Sequence, residues 1–162
     1  GALLHALVLA CGARRALELG TGLGFSGLWI AAALRHTGGT LLTVDADPEK
    51  NASAEDSFAR AGLADVVTTR IATISETLSR LDQTFDFVFI DADKDRMMEY
   101  WNLLQPRLAA AVTIVTDNIN THPRQLSAFL DHIRSLPGYY SMPLDIGNGM
   151  ELTIRIGRRE MQ

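Results

Sequence analysis

Short β-rich runs recur along this chain between longer segments of helical period. That alternation commits it to a parallel sheet covered by helices on both faces. The runs fall at residues 16–19, 40–45, 66–70, 85–91, 112–117, 139–145 and 151–156, so about seven strands with five or six helices between them are expected. The 162 residues, 47% of them hydrophobic, suffice for one core. No internal repeat or low-complexity linker divides them, and a single domain over 1–162 is expected. The fold class is α/β, a Rossmann-like, doubly wound sheet. Open sheets of this kind bind ligands beyond the carboxyl ends of their strands, near the point where the chain order reverses. The residues at those ends are 20–24, Asp45, 72–74, 91–94 and 117–118.

Glu18-Leu19-Gly20-Thr21-Gly22-Leu23-Gly24 follows the first run and opens the helix expected over 25–35. Glycines let backbone approach a ligand and leave the helix N-terminus facing it. Read from Gly22, the string Gly22-Leu23-Gly24-Phe25-Ser26-Gly27 satisfies the dinucleotide pattern G-x-G-x-x-G, with Asp45 at the expected distance beyond. Register argues against a dinucleotide. That pattern places its first glycine at the strand end, here Gly20, and counting from there sets Phe25 at the third glycine position. E-x-G-x-G-x-G resembles instead the nucleoside loop of methyltransferases, whose sulfonium cofactor has no pyrophosphate for a helix to hold. An NAD-dependent protein stays as the lesser reading. Asp45 closes Leu41-Leu42-Thr43-Val44-Asp45 and can accept hydrogen bonds from both hydroxyls of a ribose; a solvated turn acid is the bland alternative. Asp47-Pro48 reads as a helix start with Asp47 as its cap. Glu18 is placed near the cofactor's amino-acid end, with a role in holding the loop as the alternative.

Two acid-rich turns follow neighbouring runs. Phe87-Val88-Phe89-Ile90 leads into Asp91-Ala92-Asp93-Lys94, and Val112–Val115 leads into Thr116-Asp117-Asn118. On adjacent strands the turns meet, and Asp91, Asp117 and Asn118 then offer three hard oxygen ligands suited to Mg²⁺ or a similar divalent cation. No histidine or cysteine cluster suggests zinc. Read blandly, Asp91, Asp93 and Asp95 cap a helix beginning near Asp95, and Asp117-Asn118 forms an Asx turn.

With these motifs the chain resembles the cation-dependent O-methyltransferases, the group of catechol and caffeoyl-coenzyme A O-methyltransferases. The resemblance rests on residues 16–26, on Val44-Asp45-Ala46-Asp47-Pro48-Glu49, on 87–94 and on Asp117-Asn118, and it extends over nearly the whole chain. It implies S-adenosyl-L-methionine and Mg²⁺ as cofactors, Asp91, Asp117 and Asn118 as metal ligands, and Lys94 as catalytic base. Cofactor contacts are expected from Glu18, Gly20, Gly22, Ser26, Asp45 and Asp91. It also implies a class I methyltransferase domain, a seven-stranded sheet with its last strand antiparallel, and a homodimer in many members. Three departures stand out. The helices that family members carry over the substrate, ahead of the point where this chain begins, are expected to be absent. His122-Pro123 follows Asp117-Asn118 after a shorter loop, and Ile71-Ala72-Thr73-Ile74 replaces the usual turn beside the adenine.

The expected reaction is transfer of a methyl group to a hydroxyl of a small catechol-like or vicinal-oxygen acceptor. The metal orients and acidifies the hydroxyl, and Lys94 takes its proton. Only two lysines, Lys50 and Lys94, stand against thirteen arginines, which gives a lysine at 94 some weight. The rival readings are O-methylation of a hydroxylated nucleobase in tRNA and a noncatalytic S-adenosylmethionine-binding module. A net charge of −4 supplies no attraction for nucleic acid or an anionic membrane.

The apolar opening, 1–11, reads as a helix too short to span a bilayer and without the basic leading region of a signal peptide. It starts without a capping residue, so residues ahead of Gly1 are expected to be missing. The single Cys11 reads as core and favours a cytoplasmic setting. Trp29, Trp101, Phe58, Met97 and Met98 fall at spacings that suit core packing. His5, His36 and His132 read as helix-surface or core residues; His122 lies near the second acid-rich turn, and helix entry before Pro123 explains it about as well. One ring of Tyr139-Tyr140 is expected to point inward. Asp145 and Asn148 end or follow the sixth run and could face the acceptor, though neither is assigned a role.

Overall fold

The computed structural model describes residues 1–157; 158–162, the tail of the domain expected over 1–162, lie outside the described residues. Helices and strands alternate as α1 (Ala2–Cys11), β1 (Arg15–Leu19), α2 (Phe25–Thr37), β2 (Thr40–Asp45), α3 (Pro48–Arg60), β3 (Val67–Ile71), α4 (Ile74–Arg80) and β4 (Phe85–Ile90). A 3₁₀ turn (Lys94–Arg96) then leads into α5 (Met97–Leu104), followed by β5 (Leu108–Asp117), α6 (Pro123–Ser135), β6 (Tyr139–Leu144) and β7 (Met150–Arg155). The strands form one seven-stranded sheet in the order β3-β2-β1-β4-β5-β7-β6. β1 to β5 run parallel, and β7 pairs antiparallel with both β5 and β6. This is the α/β sheet expected, with its last strand antiparallel.

Strand alternation builds two cores. Leu17 and Leu19, Leu42 and Val44, Val88 and Ile90, and Val112 and Ile114 project to one face, where they pack with Leu78 of α4, Trp101 of α5 and Phe129 of α6. Ala16, Leu41, Phe87, Phe89 and Val115 project to the other, against Leu4 and Val8 of α1 and Ile30 and Leu34 of α2. A strand buried on both faces has apolar residues at successive positions, which is why these runs show little polar alternation. Trp101 anchors the first core, edge-on to Phe129 at 5.9 Å between ring centroids. Trp101, Phe58 and Met97 are buried and Met98 half-buried. Tyr139 packs on the core while Tyr140 faces outward, as the sequence suggested.

Two core assignments fail. Cys11 is exposed: it closes the last turn of α1, and α1's buried contacts come from Leu4 and Val8 deeper along the helix. Trp29 is 38% exposed, because it lies on the flank of α2 with its ring edge-on to His5 of α1 rather than toward the sheet. Among the described residues no helix is long and apolar enough to cross a membrane.

The topology fixes where a ligand can sit. The chain steps outward from β1 to β2 and β3, then returns across β1 to begin β4 on its other side. That reversal separates the loop after β1 from the loop after β4 and leaves a crevice between them.

Candidate active site

The loop 20–24 leaves the end of β1, and the Gly20 and Thr21 amides both donate to Val44 O of β2, at 3.0 and 3.2 Å. Gly20 has φ 103, and a Cβ there would stand 2.1 Å from Asp91 O. No other residue fits, because both the backbone conformation and the close approach of the β4 end exclude a side chain. On the other side, Asp91 N donates to Leu19 O at 2.9 Å, so the ends of β1 and β4 are tied together across the switch point.

Asp45 sits half-buried at the end of β2. Its Oδ2 accepts from Gly22 N and its Oδ1 from Asp47 N, each at 3.0 Å, which joins the glycine loop to the start of α3. A carboxylate accepts about four hydrogen bonds, so two positions stay free for a ligand. Asp47 caps α3 through Glu49 N and Lys50 N with Pro48 in the first turn, as its sequence suggested.

Glu18 is fully buried beneath this loop. Thr43, its register partner on β2, donates to Oε2 at 2.6 Å, and Ser26 at the start of α2 donates to Oε1. Thr21 joins through Thr43 at 2.7 Å. Burial raises the Glu18 carboxyl to about 7; the two hydroxyl donors oppose that rise, and the charges of Asp91 and Asp45 add to it. The structure therefore sets Glu18 below the loop, where it holds Ser26, and not on the cavity wall. Thr43 and Thr21 were not anticipated, although Glu18 and Thr43 occupy matching positions on consecutive strands.

Asp91, Asp117, Asn118 and Lys94 converge at the ends of β4 and β5. Lys94, only 9% exposed, donates to Asp91 Oδ1 at 2.8 Å, and Asn118 Nδ2 donates to the same oxygen at 2.7 Å. Asp93 caps the 3₁₀ turn that carries Lys94, accepting from Asp95 N at 3.1 Å. Asp117 Oδ1 accepts from Asn118 N at 2.7 Å, and Asn118 takes φ 68, the one positive φ outside glycine among the described residues. Asparagine tolerates that conformation better than other side chains do. Partial burial raises the Asp117 carboxyl; the Asn118 amide opposes the rise, the Asp91 charge adds to it, and Lys94 opposes it. Among the described residues no three His, Cys, Asp or Glu side chains form a metal-binding group, so the set is two carboxylates and an amide.

Two cavities meet along Gly20, Asp45 and Asp91. One, of about 410 Å³, runs over Gly22 and Ser26 to Phe89, Asp117 and Met150. The other, of about 280 Å³, lies between Val44, Ala46, Ile74 and Ala92, with Thr73, Arg96 and Tyr100 at its wall. Arg96 and Tyr100 had no sequence signal beyond helical spacing. His122 stands at the N-cap position of α6 before Pro123, makes no side-chain capping bond, and does not line either cavity.

Residues 17–119 match the family model of a methyltransferase domain. Over 123 residues the chain is 37% identical to a catechol O-methyltransferase of Niastella koreensis, an overlap of 74% of this chain and 55% of that protein. Its fold superposes with a TM-score of 0.85 on an O-methyltransferase from Bacillus cereus in complex with SAH, at 27% identity over 95% of this chain and 79% of the other. A second solved structure, an O-methyltransferase from Streptomyces achromogenes involved in tomaymycin synthesis and in complex with SAM, gives 0.81 at 29% identity, over 96% and 78%. The chain spans about half the length of the curated relatives it matches.

Proposed function

The chain belongs to the methyltransferase-domain family, and from that premise we propose that it moves a methyl group from S-adenosylmethionine to a hydroxyl oxygen of a small acceptor with two adjacent oxygens, such as a catechol, assisted by a divalent cation. One observation carries the reading: a ribose-type acid, Asp45, and an acid pair, Asp91 and Asp117, line one cavity, and the buried amine of Lys94 is bonded to Asp91 behind that lining.

The residues present fit both groups. Nothing lies within 4 Å of where a Gly22 side chain would stand, so the loop is an open cradle, and Asp45 beside it has acceptor positions to spare. The smaller cavity, lined by Val44, Ala46, Ile74, Ala92 and Tyr100, offers the apolar contacts that suit a purine. At the other end, Asp91 and Asp117 line the same cavity; burial raises the Asp117 carboxyl, and the Asp91 charge adds to that rise. A hard dication suits two carboxylates and an amide oxygen, with positions left for acceptor oxygens.

S-adenosylmethionine supplies an electrophilic methyl group. A cation held by Asp91, Asp117 and Asn118 supplies Lewis acidity at the acceptor hydroxyl. Asp45 orients the ribose, and Glu18 acts at one remove by fixing Ser26 and the first turn of α2. Phe89 and Met150 add apolar lining to the cavity that Asp117 also lines. Lys94 Nζ receives the hydroxyl proton, and Asp91 Oδ1 holds that amine in place. Most of the rate gain comes from alignment of acceptor oxygen and methyl group.

Calorimetric titration with S-adenosylmethionine tests the cofactor half. Asp45→Ala is expected to weaken binding by about 1.5–3 kcal/mol, the range for a hydrogen bond to a charged partner, with the fold retained. Unchanged affinity in a folded Asp45→Ala protein returns Asp45 to the role of a solvated turn acid.

A further inference from the structure

The turn between β6 and β7 reaches across to the cation ligands. Ile119 N donates to Gly149 O at 3.1 Å and Asn120 N to Asn148 O at 3.0 Å, so two backbone hydrogen bonds lock this turn to the segment that follows Asn118. Gly149, at φ 80, leaves room for the Asn120 side chain, which a Cβ would meet at 2.4 Å. The result is that Asn148 Nδ2 comes to 3.2 Å from Asn118 Oδ1. A line of side chains thus runs from Lys94 through Asp91 and Asn118 to Asn148, drawn from three separate segments.

Asn118 has a conflict to resolve. In the arrangement seen, its Nδ2 points to Asp91 and its Oδ1 to Asn148. Ligation needs Oδ1 turned toward Asp91 and Asp117, which swings Nδ2 toward Asn148. A carboxylate at 148 accepts only and an ammonium donates only, whereas an amide does both by rotating its own end. Asn148 therefore keeps Asn118 hydrogen-bonded in either orientation.

We infer that Asn148 is a positioning residue for the cation site, steadying the Asn118 amide in the ligating orientation by accepting from its Nδ2 and in the other by donating to its Oδ1. The inference rests on the cation reading of Asp91, Asp117 and Asn118 and adds a residue outside that set. In the orientation seen, Asn118 keeps its bond to Asp91 without Asn148, whereas in the ligating orientation its Nδ2 has Asn148 as its partner, so removal of Asn148 costs the ligating state more and weakens cation binding without touching the cofactor end of the groove.

The test is Mn²⁺ binding, followed by the electron paramagnetic resonance of the free ion, with S-adenosylmethionine affinity and melting temperature measured alongside. Asn148→Ala is expected to weaken Mn²⁺ binding about threefold to tenfold, the worth of one hydrogen bond, with cofactor affinity and melting temperature unchanged. Asn148→Ser, whose hydroxyl both donates and accepts, should recover part of the loss. Asn120→Ala, which removes a side chain packed on Gly149 and bonded to Asp145 of that turn without touching the Asn118 side chain, should bind Mn²⁺ as the unaltered chain does. Equal Mn²⁺ affinity in the unaltered chain and Asn148→Ala overturns the inference and leaves the cation site standing. A parallel fall in cation affinity, cofactor affinity and melting temperature in Asn148→Ala also overturns it, since that marks general damage to the turn. Failure of the unaltered chain to bind Mn²⁺ removes the cation reading and this inference with it.

Discussion

Replacement of Glu18 by glutamine isolates the electrostatic cost stored beneath the glycine loop. The carboxyl is fully buried and rises from 4.5 to about 7, so the folded chain holds its proton over a range where the unfolded chain has released it. The sign follows from linkage: between those values the native state binds more protons, and stability falls as pH rises, levelling off above pH 7. A shift of this size is worth about 3 kcal/mol when complete, and the part that falls between pH 5 and 8 is about 2–3 kcal/mol. In a chain of this length that corresponds to about 5–10 °C in melting temperature. Glu18→Gln cannot ionise, so its melting temperature lacks this component, while every other titrating group moves both proteins alike. At pH 5 the two should melt within a few degrees of each other, since an amide and a protonated carboxyl make similar bonds to Ser26 and Thr43. At pH 8 Glu18→Gln should be the more stable. Thermal melts at half-unit pH steps give the difference curve, and a difference that stays flat from pH 5 to 8 refutes the assignment of this cost to Glu18.

The Lys94→Arg variant separates a base from a fixed cation, because arginine keeps its charge and does not give up its proton in proteins. It should retain cofactor and cation binding and lose about 10²–10⁴ in turnover, with partial recovery at high pH; near-normal turnover at pH 7 removes Lys94 from proton transfer. Gly20→Ala forces a methyl to 2.1 Å from Asp91 O in a left-handed conformation, and urea unfolding should show a loss of at least about 2 kcal/mol. A Gly20→Ala protein as stable as the parent means that the β1 and β4 ends are not packed as described.

Most of the fold was legible because its signals are local. Each of the seven strands lies where a β-rich run stood, within a residue or two at most ends, and the glycine loop follows β1 as expected. The largest error is β5, which begins at Leu108 and not at 112. Its extra residues include Ala109, Ala110 and Ala111, which carry no strand preference. They are held there by Arg155 of β7, whose guanidinium donates to the carbonyls of Leu108, Ala109 and Ala110, a contact made 45 or more residues away. Cys11 and Trp29 went astray for a related reason: helical period gives the face of a helix but not where its packing ends. Asp91, Asp117, Asn118 and Lys94 were visible as a group because adjacent strand ends meet by topology. The bond from Asn148 to Asn118 was not, because only the pairing of β7 with β5 brings that turn beside Asn118.

The acid pair at the ends of β4 and β5 is central to the proposed methyl transfer to an oxygen. The direct measurement is transfer of a labelled methyl group from S-adenosylmethionine to catechol by this chain, once with Mg²⁺ and once after chelation with EDTA. The account predicts methylated catechol with Mg²⁺ and at least about a 10²-fold lower rate in EDTA, as expected where a Lewis acid contributes several kcal/mol. Equal rates in Mg²⁺ and EDTA contradict the role given to Asp91, Asp117 and Asn118, and no transfer in either contradicts the activity itself.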